Sequence, residues 1–488
     1  MILITQVGLS QTKETNATAE EQYVEGLKAF SPSVSDFIYS DFSAFNSVSP
    51  EQFVSTLDSL EDKFEKHLAG YSDRLSPEVV KDEQVSIAYY FDRLLLEYPA
   101  HHYTYTGKQI HLSKDIQNRL ARHHTDFNDT SLLSNEDYRS YVQAFLEQQK
   151  RAELEKSKYD SLDNRWLNAT WTLIDQWFEN PLVNEYWKQE YLANHIRDIG
   201  IKNVEPIYQE FIRTSESSDY QDKIARLYNE HQKNRGSHRI ETYKTVDGYD
   251  LDIHLFMPDT TTFKASAPTM VCFHGGSWTE GKPDYFFWAG DHYTQQGWAV
   301  AVVEYRIAAR HGTLPFASVK DARSAIRWLR ENAKRLNIDI SKIVATGNSS
   351  GGHLSLATAL ADDCNETSDN VEISPVPNAL IVIAGVYDLT VENAQWISRA
   401  AEDEQMVTDI SPNHLMKKEL PPTLIIHGSQ DNNCPYPTAQ YFATEMKALG
   451  NTIDFHAIEG AGHFIWFGEH SGEVGQIRQQ YLEALTFD

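Results

Sequence analysis

The sequence predicts two structural classes in series: an all-α segment over residues 20–235, then an α/β domain over 236–488 built on a mostly parallel sheet. Three observations predict this. Apolar residues recur at helical spacing up to residue 235, short β-branched runs alternate with amphipathic stretches beyond it, and Lys233-Asn234-Arg235-Gly236-Ser237 interrupts both patterns. A chain of 488 residues also exceeds what one ordinary core serves, so more than one domain is expected.

In the first segment, Ser49-Pro50-Glu51-Gln52 supplies an N-cap, a proline at the first helical position and a glutamine that closes a capping box. Phe53, Leu57, Leu60 and Phe64 then follow one face. Ser76-Pro77-Glu78 opens a second helix carrying Ile87, Phe91, Leu94 and Leu95, which is expected to stop near Pro99. A third opens at Ser134 with Tyr138, Val142 and Phe145 on one stripe, and its charged continuation, 147–158, reads as solvated. Trp166, Leu173, Trp177, Tyr186, Trp187 and Tyr191 form an aromatic stripe of the kind that fills cores, and further helices are expected over 203–214 and 218–233. His101, His102, His111, His123 and His124 cluster in sequence without regular ligand spacing, so they read as polar surface and not as a metal site.

In the second segment, 238–246 and 250–257 read as a hairpin turning at Asp247-Gly248. Buried strands follow at 269–273, 299–304, 342–346, 379–384, 423–426 and 452–458, for a sheet of about eight strands with helices on both faces, the clearest helix being 317–336.

Composition narrows the partners. The formal charge is −27, a field that repels nucleic acid and anionic membrane surfaces. Cys272, Cys364 and Cys434 are odd in number and far apart, giving neither a disulfide framework nor a zinc spacing. No apolar run approaches the roughly 18 residues of a membrane span. Residues 1–19 read as a disordered start or the remnant of a secretory signal, so the compartment is left open between the cytoplasm and an exported location.

The chemistry sits in four loops of the second segment. Gly347-Asn348-Ser349-Ser350-Gly351 follows a strand and precedes a helix-forming run, the strand–turn–helix setting in which a G-x-S-x-G serine is a nucleophile. Phe273-His274-Gly275-Gly276-Ser277-Trp278 ends an earlier strand, and Gly275 and Gly276 offer backbone N–H groups to an oxyanion, with Ser350 N–H as a third donor. Asp431 follows the strand Leu424–Ile426, and His463 lies in the loop after the next strand. The order serine, acid, histidine suits a proton-relay triad on such a sheet. Asp388 is the competing acid. His274 is expected to brace the oxyanion loop, and His353, His427, His456 and His470 read as structural. Trp278, Phe464 and Trp466 are candidate lining of the substrate pocket, with Phe286 and Phe287 nearby.

With these motifs in view, residues 240–488 resemble the esterase branch of the α/β-hydrolase superfamily, which includes hormone-sensitive-lipase-like carboxylesterases and the acetyl-xylan and feruloyl esterases. The resemblance rests on His274–Trp278, Glu304-Tyr305-Arg306, the stretch 315–329 with Asp321, Ala322 and Arg327-Trp328, then Gly347–Gly352, Asp431 and His463. Two positions depart from it: Ser277 stands where a third glycine is common, and Asn348 where an acidic or small residue is usual. The resemblance implies a cofactor-free, metal-free serine hydrolase acting on a small-molecule ester, short-chain or carbohydrate-linked. A formamidase-like amidase or peptidase with the same triad is the nearest alternative, and a non-catalytic binding protein on the same scaffold a more distant one. The helical segment reads as a cap, an oligomerisation surface or an independent binding module.

Overall fold

In the computed structural model, which describes residues 17–391 and 404–487, the strands form a single mixed sheet. They are β1 Arg239–Val246, β2 Tyr249–Phe256, β3 Ala267–Phe273, β4 Ala299–Val303, β5 Ile338–Asn348, β6 Ala379–Ile383, β7 Thr423–Gly428 and β8 Ile453–Ile458. Their spatial order is β1-β2-β4-β3-β5-β6-β7-β8, antiparallel for β1–β2 and β2–β4 and parallel for the rest. This is the α/β-hydrolase fold.

The continuous apolar runs of the central strands follow from burial on both faces. Val271 and Phe273 of β3 share one core with Ala301, Val303, Ala345, Val382 and Ile425. Met270 and Cys272, offset by one residue, face the opposite core with Val300, Val302, Val344, Ile381 and Ile426. The helix expected over 317–336 is divided, Pro315–Glu331 and then Ala333–Leu336, because Asn332 leaves helical geometry at φ −96°, ψ 4°.

Two compact units result. One comprises the described part of Met1–Lys156 with Ala169–Lys188, and the other Ser157–Asn168 with the described part of Gln189–Asp488. This differs from the boundary expected at 235–236: the helices Glu205–Thr214 and Ser218–Arg235 go with the sheet unit. The second of them is tied there through His231 Nδ1, 2.7 Å from Asp284 Oδ2, and Arg235 Nη2, 3.3 Å from Asp252 Oδ2. Buried or half-buried pairs hold the segments that precede both helices. Arg310 binds Asp163 through Nε at 2.9 Å and Glu304 through Nη1 at 2.8 Å, while Lys202 reaches Asp252 at 2.8 Å.

The helical unit corrects other expectations. The helix expected to stop at Pro99 runs Pro77–Thr106 and ends at Gly107, φ 70°. Tyr98 stacks on Phe53 with centroids 3.8 Å apart, and buried His102 places Nδ1 2.9 Å from the Asn46 carbonyl oxygen. Contacts on both sides of the proline thus offset a cost of about 3 kcal/mol. The third helix is Glu136–Leu154, capped by Asn135 and not Ser134; Lys150 and Glu153, on its charged continuation, are buried. The histidines expected on a polar surface mostly sit among aromatics and acids. His124 packs against Phe127, Phe145 and Trp177, His101 against Phe42, and His123 pairs with Asp92 at 2.6 Å. Sequence clustering alone does not separate a solvated imidazole from one packed in an aromatic core. No described helix is long and apolar enough to cross a membrane. The reading of the N-terminus as a signal remnant falls largely on residues 1–16, outside the described residues.

Candidate active site

β5 ends at Asn348 and the helix Ser350–Leu360 begins two residues on, leaving Ser349 alone in the turn at φ 54°, ψ −125°. For an L-residue this conformation costs on the order of 1–3 kcal/mol and persists only where neighbours enforce it. Ser349 N–H donates to the Ile383 carbonyl at 3.0 Å. The helix also closes directly onto β3: a Cβ on Gly351 would lie 2.0 Å from the Phe273 carbonyl oxygen, so no side chain fits there.

His463 and Asp431, 32 residues apart, converge on this turn. His463 Nε2 lies 3.1 Å from Ser349 Oγ, and its Nδ1 lies 2.8 Å from Asp431 Oδ2. Asp431 Oδ1 accepts from the Asn433 and Cys434 N–H groups, each at 2.9 Å. Burial by itself would raise the Asp431 carboxyl, but hydrogen bonds from His427, His463 and the Cys434 N–H hold it well below the usual carboxylate range. His427 is a supporting residue whose contact with the acid the sequence did not show. Its Nε2 is 2.8 Å from the Cys434 carbonyl oxygen and 3.3 Å from Asp431 Oδ2. The available signal was its position four residues before the acid, at the end of β7.

The loop after β3 passes against the serine, where a Cβ on Gly275 would lie 3.3 Å from Ser349 Cβ and 3.1 Å from the Asn348 carbonyl oxygen. Gly276, Ser277 and Trp278 all take positive φ, at 122°, 53° and 57°. His274 braces this loop: its Nδ1 is 2.7 Å from the Gly275 carbonyl oxygen, its ring stacks on Tyr305 at 4.3 Å, and Tyr305 Oη donates to its carbonyl at 2.7 Å. Burial pushes His274 down to about 4, so its ring is neutral near pH 7. Ser350 is fully buried at the start of its helix, whose first-turn N–H groups and positive end lie next to Ser349.

The remaining predicted positions divide. Phe464 is 61% exposed and Trp466 partly buried, with both rings edge-on to His463 at 5.1 and 5.2 Å. Trp278 is instead buried in the core, edge-on to His353, because the left-handed turn at 276–278 folds it inward. Phe286 and Phe287 belong to the opposite core. Asp388 accepts from Thr390 N–H at 2.9 Å and Oγ1 at 2.6 Å, capping its own turn, with His414 at 3.6 Å. His353 is buried with Nε2 2.7 Å from the Ile410 carbonyl oxygen. Arg306 and Asp321, both from the family-like stretches, form a bidentate buried pair at 2.9 Å that joins the loop after β4 to the helix Pro315–Glu331.

Among the described residues, Asp431, Cys434 and His463 form the one grouping whose ligand atoms lie within 4.8 Å of one another. The hydrogen bond between Asp431 and His463 accounts for two of them, and burial raises the Cys434 thiol far above its ordinary range, which disfavours the thiolate a metal takes.

Comparison with known proteins adds the family. Residues 251–446 match the BD-FAE family, and relatives named as esterases are similar to part of the chain. The C-terminal unit is similar to α/β-hydrolase esterases. The chain is 29% identical to Esterase LipC of Mycobacterium tuberculosis over 40% of this chain and 53% of LipC. It is 34% identical to Carboxylesterase NlhH of the same organism over 25% of this chain and 38% of NlhH. A solved structure of a thermophilic esterase from the planctomycete Thermogutta terrifontis is 30% identical over 51% of this chain and 93% of that one, with a TM-score of 0.48. The chain spans about half or less of the length of the curated relatives it matches.

Proposed function

We propose that this chain is a serine carboxylic ester hydrolase in which Ser349 is the nucleophile, His463 the general base and acid, and Asp431 the residue that orients and charges His463. The observation that carries this reading is the continuous chain Asp431–His463–Ser349, with a serine held in a strained turn beside a glycine loop. An ionised Asp431 accepts a hydrogen bond from His463 Nδ1–H, which fixes the tautomer whose Nε2 lone pair faces Ser349 Oγ.

Ser349 Oγ adds to the ester carbonyl as its proton passes to His463 Nε2. The carbonyl oxygen becomes an oxyanion, which the N–H groups of Gly275, Gly276 and Ser350 stabilise; one such donor is worth about 100- to 1,000-fold in rate. Collapse breaks the C–O bond to the alcohol, and the alcohol oxygen takes the proton from His463. Water then adds to the acyl-serine by the same route, its proton again going to His463 and from there back to Ser349, releasing the acid. The exposed rings of Phe464 and Phe467, with Trp466, offer an apolar surface beside His463. They suit a short-chain acyl ester or one carried on a carbohydrate face.

The test is Ser349→Ala with p-nitrophenyl acetate and a fluorophosphonate probe. Loss of turnover by about 10⁶-fold and of all labelling is expected, from the cost of removing a triad nucleophile. Retention of either activity excludes Ser349 as the nucleophile. Matched ester and amide substrates in the wild type separate this reading from an amidase.

A further inference from the structure

The loop that carries the oxyanion donors is also the cap of a helix outside the family's matched region. The helix Pro181–Asp198 ends in carbonyl groups that its own backbone leaves unpaired, as every helix C-terminus does. Ile199 and Gly200 N–H groups both turn back to the His195 carbonyl, at 2.8 and 3.0 Å. The later carbonyls are taken by the loop after β3. Gly281 N–H donates to the Asp198 carbonyl at 3.0 Å, and Lys282 Nζ reaches the Ile196 carbonyl at 3.3 Å. A cation at this end also meets the negative pole of the helix dipole.

Lys282 is 5% exposed, and such burial requires satisfied partners. Besides Ile196, its Nζ lies 3.2 Å from His231 Nε2, and His231 Nδ1 is 2.7 Å from Asp284 Oδ2. His231 comes from the helix Ser218–Arg235, so two elements from before residue 236 grip one end of this loop. The other end is Gly275, beside Ser349. Between them the loop is a closed turn, with Thr279 and Glu280 N–H groups both donating to the Gly276 carbonyl at 2.9 and 3.0 Å. Movement at Lys282 is therefore passed to Gly275 and Gly276 through few soft torsions.

We propose that Lys282 is a positioning residue for the oxyanion hole: by closing the C-terminus of the helix Pro181–Asp198 together with Gly281 N–H, it sets the Gly275 and Gly276 donors against Ser349. The inference rests on the hydrolase reading above. It makes residues 189–235 a working part of the catalytic unit, although the family match begins only at 251.

The experiment compares Lys282→Met, which keeps the stem and removes the ammonium, with Lys282→Arg and the wild-type full chain. A displacement of about 1 Å at such a site costs up to about 100-fold. In Lys282→Met, kcat for p-nitrophenyl acetate should fall 10- to 100-fold with KM within about twofold. Affinity for a trifluoromethyl ketone, which forms a tetrahedral oxyanion on the serine, should fall by the same factor. Lys282→Arg should recover most of both. A merely structural lysine would lower the melting temperature and leave the ratio of ketone affinity to KM unchanged, and that result overturns the proposal. Amide exchange of residues 275–281 gives a readout independent of turnover: faster exchange in Lys282→Met supports the clamp, and unchanged exchange refutes it. Should the wild type hydrolyse no ester, the functional reading fails by itself, and amide exchange still decides the clamp. If Lys282→Met does not fold, Lys282→Gln, which keeps a donor and drops the charge, is read in the same way.

Discussion

Asp431→Asn tests the proton relay most sharply, because the structure fixes which way the new amide must point. Asp431 Oδ1 faces two backbone donors, Asn433 and Cys434 N–H, each at 2.9 Å. An amide NH2 placed there would meet two N–H groups head-on, leaving both buried donors without an acceptor at about 1–3 kcal/mol each. The amide oxygen therefore stays at that position, and the NH2 takes the place of Oδ2, 2.8 Å from His463 Nδ1. A donor at that distance selects the tautomer with its proton on Nε2, the nitrogen 3.1 Å from Ser349 Oγ, which then has no lone pair for the serine proton. In a triad this change is worth about 10⁴-fold in kcat, or about 5.4 kcal/mol at 1.36 kcal/mol per tenfold. The assay is kcat for p-nitrophenyl acetate alongside the second-order rate of fluorophosphonate labelling. Both should fall about 10⁴-fold while KM changes little. Asp388→Asn, which alters only a turn cap, should stay within twofold of wild type. A loss below tenfold in Asp431→Asn, or a large loss in Asp388→Asn, would refute the assignment of the acid.

Two stability predictions follow from burial and backbone geometry. His195, His274 and His353 are held neutral by burial, pushed down to about 3, about 4 and about 4. The unfolded chain protonates these rings near pH 6.5 and the folded chain does not, so the unfolded state binds more protons between about pH 6.5 and 4. Stability is therefore full above pH 6.5 and falls on acidification by up to about 1.4 kcal/mol per pH unit for each ring. Urea midpoints at pH 7.5 and 5.5 check this, and a higher midpoint at pH 5.5 would contradict it. Ser277→Gly should raise the urea midpoint slightly, by about 0.5–1 kcal/mol of stability: Ser277 is exposed at φ 53°, where glycine escapes the left-handed strain at some entropic cost in the unfolded chain. A lower midpoint would mean that the serine side chain stabilises the loop.

Much of the hydrolase half was legible because its signals are local. A buried parallel strand must be apolar along its length, so β3, β4, β6 and β7 stand out as runs, and the elbow at Ser349 needs small residues next to a strand end. Trp278 was not legible in this way. A tryptophan after an oxyanion motif suggests a pocket wall, yet the dihedral angles of Ser277 and Trp278 turn it into the core, and no residue pattern reports those angles. Pro99 likewise reads as a stop, and only packing around Tyr98 and His102 carries the helix through it.

What the sequence determined by itself was local in the chain: an α/β sheet with both faces buried, a serine at a strand–turn–helix junction, and an acid and a histidine in later loops. Hydrophobic period and turn chemistry act over a few residues, and a single chain displays them. Only the tertiary structure decided that Asp431 and not Asp388 meets His463, that His427 backs that acid, and that Lys282 closes a helix whose sequence carries no hydrolase motif. Those are contacts between residues far apart in the chain, fixed by how strands are ordered and helix ends satisfied. Their physical cause, the need of every buried charge and carbonyl for a partner, becomes visible only when the partners are in place.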